Sequence, residues 1–477
     1  MKEATPLIVD LDKTLIYTDS LVESVVLLIK KNPVYFFIIF FWLFKGKARL
    51  KTEIVNRVSL DIETLPYNKP FIEWLKVEKE KGRKLYLVTA AHKEIAKKVM
   101  NYLNFFDGFF ATEESCNLKG SKKCALIKEK IGDDFVYAGD SKVDLLIWKD
   151  SEAAVLVNAP SSLANEVRKK TIIEAEFPRK KIGIRTWLRA LRIHQWVKNI
   201  LLFVPLLTAF EFLNVFKIFS VIFAFLAYSL VASGTYVLND IFDLNSDRAH
   251  MLKRHRPFAC GDIQIINGIV IAGIFFILAL TIALYISEVF TAILAFYFIL
   301  TVTYSLFFKK HIIIDVIILS FLYTLRIIAG VTVIQVDISS WLFAFSMFLF
   351  LSLALIKRCG ELVSFGKEDQ KRTIVGRDYM PSDLVVLWPL GVGASLLAIV
   401  VLSLFINAPE TQQKYASPEL LWGPAVVIMY WLGRMWIKTS RGEIDDDPIL
   451  YVIKDSISYM IFFFTISITI ISYFYTI

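Results

Sequence analysis

Cysteine is scarce. The 477 residues hold four, Cys116, Cys124, Cys260 and Cys359, scattered and without a CxxC spacing. Neither a zinc site nor a disulfide framework is therefore expected. An apolar leader is also missing. The chain begins MKEATPLIVDLDKT and passes straight from charge into a short strand-like run, so the first domain is expected to stay in the cytosol. The net charge is +9, yet no groove-reading motif accompanies it, and no nucleic-acid partner is expected. Basic cytosolic loops beside anionic head groups account for the sign.

Apolar residues, by contrast, are abundant: 56% of the chain, with 39 phenylalanines, too many for an ordinary soluble protein. They are unevenly spread. The first ~180 residues are mixed and charge-rich, and the remainder is mostly long apolar runs between short polar loops. A soluble α/β domain fused to a polytopic membrane domain follows. A spanning helix needs about 20 apolar residues, and the pattern predicts nine, near 197–213, 216–238, 265–286, 288–308, 311–334, 340–356, 384–406, 419–437 and 457–475. Alternate loops are basic: Arg248, Lys253, Arg254 and Arg256; then Lys309 and Lys310; then Lys357, Arg358, Lys367, Lys371, Arg372 and Arg377; then Lys438, Arg441 and Lys454. The opposite loops show only Lys217 and Lys414. This asymmetry predicts a plasma (inner) membrane protein with a cytoplasmic first domain and its C-terminus outside.

After the run FSVIFAFLAYSLVASGTYVL comes NDIFDLNSDRAH (239–250). On a helix Asp240, Asp243 and Asp247 (i, i+3, i+7) share one face. Three like charges at a membrane boundary are costly unless a cation neutralises them. Carboxylates are hard ligands suited to Mg²⁺, and neighbouring bases suit a diphosphate. A solvated acidic loop is the plainer alternative.

Asn239-Asp240-x-x-Asp243-x-x-x-Asp247 after a span resembles the UbiA superfamily of intramembrane prenyltransferases, over about 185–477. The resemblance implies Mg²⁺-bound pyrophosphate on Asp240 and Asp243. LRIHQWVKNILLFVPLL, DRAHMLKRHRPFACGDI, YSLFFKKHIIIDVIILSFLYTLRIIAG, KRCGEL and RGEIDDDPILYVIKD look like the decaprenyl-phosphate phosphoribosyltransferase branch. That branch moves 5-phosphoribose from phosphoribosyl pyrophosphate (PRPP) onto a polyprenyl phosphate. The second aspartate motif of quinone-type relatives, DxxxD, is lacking; Tyr304, Lys309, Lys310 and a lone Asp315 stand there. The resemblance implies Asn239, Lys253, Arg254, Arg256, Tyr304, Lys309, Arg326, Lys357 and Arg358 as substrate contacts, with Asp247 completing the acidic set. Lys309 and Lys310 also fit ordinary positive-inside lysines. Arg326, within an apolar span, is a functional candidate or one half of an intramembrane structural pair.

In the first half, LIVDLDKTL (7–15), LYLVTAA (85–91) and VYAGDSKVD (136–144) are β-like runs that end in polar residues. In open α/β sheets ligands sit at the carboxyl ends of strands, but spacing alone does not make these three neighbours. Together with NLKGSKKCAL (117–126) they resemble the haloacid dehalogenase (HAD) phosphatases over about 1–172. That implies Asp10 as nucleophile, Asp12 as acid/base, and Mg²⁺ on Asp10, the Asp12 carbonyl and Asp140, with Asp144 in support. Thr14 and Thr89 would contact phosphate. Lys123 is the preferred phosphate-side lysine by its Gly-x-x-Lys spacing, with Lys122 close behind.

Residues 15–70 fit a helical cap. Within it PVYFFIIFFWLF (33–44), flanked by Lys30, Lys31, Lys45 and Lys47, is too short to span. It is either a helix lying in the membrane interface or a buried cap helix. Residues 173–190 read as a basic linker entering an amphipathic helix.

The expected fold is thus an α/β, Rossmann-like HAD domain with a helical cap, fused to an all-α nine-helix UbiA-type membrane domain at 191–477. The expected function is a bifunctional one. The membrane domain makes a 5-phosphoribosyl lipid, and the HAD domain dephosphorylates it to polyprenyl-phosphoryl ribose for cell-envelope glycans. The alternatives are an aromatic prenyltransferase using prenyl diphosphate with an unrelated phosphatase, and an inert soluble module.

Overall fold

The computed structural model describes residues 5–113, 118–337, 339–364, 377–444 and 447–475. Cys116, Lys367, Lys371 and Arg372 lie outside the described residues. The chain forms two compact units, Met1–Arg192 with Tyr236–Gly273, and Ile193–Thr235 with Ile274–Ile477.

In the first unit six strands, β1 (Leu7–Val9), β2 (Leu85–His92), β3 (Gly108–Thr112), β4 (Val136–Gly139), β5 (Ala153–Val157) and β6 (Ile172–Phe177), form one sheet in the order β3-β2-β1-β4-β5-β6. Every pairing is parallel. Strand alternation divides the apolar residues between two cores. Leu7, Val9, Leu85, Leu87, Ala138 and Val155 face one side; Ile8, Val88, Tyr137, Ala154 and Leu156 face the other. β6 carries the sheet to Phe177, into the stretch read as linker.

The insertion after β1 is helical: Ser20–Lys31, Tyr35–Phe44 and Lys47–Val55. Its neck is closed where Tyr17 N donates to Pro66 O (2.9 Å) and Asn68 N to Leu15 O (3.0 Å). The helix Tyr35–Phe44 has no buried residue, with Phe37 67% and Phe41 66% exposed. The buried-cap reading of 33–44 is thereby corrected: Tyr35, Ile39 and Trp42 pack half-buried against a small core of Leu28, Leu50 and Ile54, and the rest of the helix faces outward.

Eight helices among the described residues are long and apolar enough to cross a membrane: Val215–Phe242, Ile265–Ile286, Glu288–Leu306, Ile314–Ile334, Ser340–Ser364, Pro381–Ile406, Pro418–Ser440 and Ser456–Phe474. The span expected at 197–213 departs from this pattern. It is a 3₁₀ run of 11 residues, Ile193–Phe203, followed by the five-residue helix Val204–Thr208. Pro205 sits in the first turn of that helix; it lacks an amide proton and disfavours α-helical backbone at the residue before it, so one continuous α-helix through 197–213 is not formed. Rising about 2.0 Å per residue, then about 1.5 Å, the two pieces together reach roughly 30 Å, the thickness of a hydrocarbon core. Gly330 permits close approach here, since a side chain there would press on the Leu202 carbonyl. A second correction concerns Lys357 and Arg358. Both lie inside Ser340–Ser364 rather than in a loop, because buried acids hold them there.

Candidate functional site

β1 is flanked by β2 and β4, so the ends of these neighbouring strands bring their polar residues together. Carboxylate oxygens of Asp10, Asp140 and Asp144 lie within 4.8 Å of one another. Lys123 Nζ stands 3.0 Å from Asp10 Oδ1 and is 3% exposed, while Lys122 points outward. A relay fixes the group: Lys123 donates to the Tyr137 hydroxyl (2.7 Å), Tyr137 donates to Asp144 Oδ1 (2.9 Å), and Ser141 N and Oγ donate to Asp144 Oδ2. Asp12 stands beside this group and accepts from Ser20 N at 2.8 Å. Thr89 Oγ1 accepts from Ala91 N. Thr14 is fully buried, and its hydroxyl has no hydrogen-bond partner among the described residues.

Burial raises the carboxyls of this site. Asp140 is pushed up to about 8 by desolvation, then by Asp144 and Asp10. Asp12 is pushed up to about 7 by desolvation, then by Asp19. Asp10 is also raised by burial, against the pull of Lys123. Crowded hard oxygens whose mutual repulsion a cation would relieve are a donor set that fits Mg²⁺. Sequence reasoning missed Tyr137, Ser141 and the cap residue Lys51. Lys51 Nζ donates to Ala90 O at 2.5 Å beside Thr89. A lysine in a cap helix carries no sequence signal that it turns inward.

The acidic motif stands at the end of Val215–Phe242 and in the short helix Leu244–Ala249. Asn239 O accepts from Asp243 N, and Asp243 O from Asp247 N, so the helical path continues through the motif. The chain's own cations answer the carboxylates. Asp240 meets Arg192 (2.5 Å) and Arg256 (3.1 Å), Asp247 meets Arg256 (2.7 Å), and Asp243 meets Lys30 (3.2 Å). Burial holds Asp247 above its usual range, with Arg256 opposing. Lys253 and Arg254 lie on an exposed 3₁₀ turn, Lys253–His255. The motif offers hard oxygen donors, which also fit a divalent cation. Arg192 and Lys30 were not expected here; nothing local marks either as a partner for an aspartate.

In the second unit two charge clusters are buried. Asp315 and Arg358, both fully buried, pair at 2.5 Å. Tyr379 donates to Asp315, and Glu361 joins Arg358 to Arg377. Asp447 pairs with Lys198, and Lys357 stands 3.8 Å away. Although burial alone would raise Asp447, Lys198 and Lys357 hold it below the usual carboxylate range. Arg326 donates to Asn199 Oδ1 (2.8 Å), Leu322 O (2.5 Å) and Tyr297 OH (2.9 Å), and lies over the Tyr297 and Tyr323 rings. It ties the 3₁₀ run to two helices. Tyr304 and Lys309 are half-buried.

A parallel-sheet α/β domain joined to eight apolar helices of membrane length among the described residues, with an acid-and-base motif where a helix ends, is the architecture of a multi-pass membrane protein. The sequence model of the UbiA prenyltransferase family matches residues 200–454. The chain belongs to that family. It is 36% identical over 462 residues to uncharacterized protein y4nM of Sinorhizobium fredii, covering 96% of this chain and 89% of that one. It is 35% identical over 278 residues to nodulation protein NoeC of Azorhizobium caulinodans, covering 58% and 90% respectively. A decaprenyl-phosphate phosphoribosyltransferase of Mycolicibacterium smegmatis is 25% identical over 282 residues, covering 58% and 88%.

Proposed function

We propose that the membrane domain transfers 5-phosphoribose from PRPP to a polyprenyl phosphate, and that the α/β domain, as a HAD-type phosphatase, then removes the ribose 5-phosphate. The observation that carries the transferase reading is Asp315. Where quinone-type relatives carry a second aspartate motif, this lone acid is fully buried and its charge is already answered by Arg358, which leaves no second acidic pair for a metal-held diphosphate. The relative named as a phosphoribosyltransferase supports the same reading.

In the transfer step a lipid phosphate oxygen bonds to the anomeric carbon while the bond from that carbon to pyrophosphate breaks, its electron pair leaving with pyrophosphate. The nucleophile is already anionic, so no strong general base is needed. Arg256, which bridges Asp240 and Asp247, can exchange a carboxylate for a phosphate oxygen, and Lys253 and Arg254 add charge at the same turn. Asp240 and Asp243 would hold Mg²⁺ here; Asp10, Asp140, Asp144 and the Asp12 carbonyl would hold it in the α/β domain. Bound, the metal neutralises phosphate charge.

In the hydrolytic step Asp10 attacks phosphorus and the ribose oxygen leaves. Asp12, pushed up to about 7, gives that oxygen a proton and then takes one from the water that opens the aspartyl phosphate. Lys123 balances charge at Asp10, and Thr89 holds the phosphoryl group. Mass spectrometry of lipids made from PRPP and polyprenyl phosphate tests the scheme. Wild type yields the ribosyl lipid, and Asp10→Asn accumulates its 5-phosphorylated precursor. Consumption of prenyl diphosphate in place of PRPP overturns it.

A further inference from the structure

The helix Ser20–Lys31 has 12 residues, about 18 Å. Ser20, at its start, donates its backbone N–H to Asp12 of the α/β site. Glu23 and Lys30, seven residues apart, share one face. Glu23 holds Arg248 through two bonds of 2.6 and 2.9 Å, with side chains 2% and 5% exposed. Lys30 Nζ donates to the Phe242 carbonyl (2.6 Å) and to Asp243 Oδ1 (3.2 Å). Phe242 ends a membrane-length helix, so Lys30 satisfies a carbonyl left over at a helix C-terminus. Behind this contact Gly261, at φ +79°, brings its backbone against Tyr17 of the cap neck, where a side chain would collide.

We infer that Lys30, held in place by the Glu23–Arg248 pair, is a diphosphate-binding residue that the soluble domain lends to the acidic motif. This rests on the reading of Asp240 and Asp243 as a metal–diphosphate site. A negative face matched by Lys30, and a positive residue matched by Glu23, form a charge-complementary seat that fixes the helix. The Lys30 side chain is 40% exposed, so its ammonium can turn from Asp243 toward a bound diphosphate once a divalent cation takes over the carboxylate. A lysine is suited to this exchange, being a compact charge on a flexible stem. The soluble domain thereby acts on the transferase's affinity for its donor and not on the chemical step.

The probe is inorganic pyrophosphate with Mg²⁺, binding to full-length protein in nanodiscs, read by calorimetry. Asp240→Asn serves as reference, since binding that survives it belongs elsewhere. Lys30→Ala weakens the Asp240-dependent Kd about three- to tenfold, the effect of one partly exposed charge-assisted contact, and Lys30→Arg restores most of it. In turnover the same variant raises KM for the diphosphate donor with kcat nearly unchanged. Glu23→Gln weakens the Kd in the same direction. Equal Kd values for wild type and Lys30→Ala overturn the role of Lys30 and leave the acidic motif standing. No Asp240-dependent binding in wild type overturns the reading of the motif, and the inference with it.

Discussion

Glu23 and Arg248, 225 positions apart, form a two-pronged ion pair almost closed to solvent. Arg248 also donates to the Ala259 carbonyl, so the pair holds both the cap helix and the loop that follows the acidic motif. Removing one member of such a pair leaves the other charged and buried, at a cost of about 3–5 kcal/mol. Glu23→Gln is therefore expected to lower the melting temperature of the full chain by on the order of 10 °C. Glu23→Gln combined with Arg248→Met recovers part of the loss. A thermal melt in detergent checks both.

The α/β site has a pH signature. Asp140 and Asp12, pushed to about 8 and about 7, keep protons in the folded domain that the unfolded chain has released above about pH 4. The folded state then binds more protons, so stability falls as pH rises from about 4 to about 8. Mg²⁺ should raise the melting temperature strongly at pH 8 and little at pH 5. Asp140→Asn should flatten the metal-free pH slope. A metal-free slope that rises over this window would contradict the assignment.

Lys123 is buried beside Asp10 with Tyr137 as its second partner. If the α/β domain is the proposed phosphatase, Lys123→Met lowers hydrolysis of a small aryl phosphate at least ~100-fold, the scale of losing one preorganised charge at a reacting group. Lys122→Met, on an exposed position, changes it less than about twofold.

Asp447 neutralises Lys198 in a buried setting. Asp447→Asn removes the acid that Lys198 pairs with and that Lys357 stands beside. We expect transferase activity to fall together with stability, by about 2–4 kcal/mol on the latter. Lys198→Met paired with Asp447→Leu recovers the stability alone, as a denaturant titration would show.

The helix Tyr35–Phe44 exposes Phe36, Phe37, Phe40, Phe41 and Phe44. A fluorophore on the cysteine of a Phe40→Cys variant in nanodiscs should be quenched by lipids brominated in their acyl chains if this helix lies in the interface. Quenching equal to that of a label at exposed Lys149 would remove that reading.

Much of the fold was legible in the sequence because its signals are local. Short continuous apolar runs in LIVDLD and LYLVTAA mark buried strands, and the polar residue at the end of each run marks a site. Whether those runs are neighbours needed the sheet order. The long apolar segments are equally plain, but the segment at 197–213 shows where length misleads: Pro205 and the close approach at Gly330 turn it into a tighter 3₁₀ coil. Lys357 and Arg358 look like loop cations until Asp447 and Asp315 are found beside them.

By itself the sequence determined the two-part composition, the strand-forming runs, most of the membrane-length helices and the acidic motif, since each depends on residues a few positions apart. Only the tertiary structure decided which charge meets which: Lys30 with Asp243, Arg192 with Asp240, Glu23 with Arg248. A salt bridge is a fact about distance and burial. A lysine destined for solvent and one destined for a buried aspartate are the same letter until the chain has closed the hundreds of residues between them.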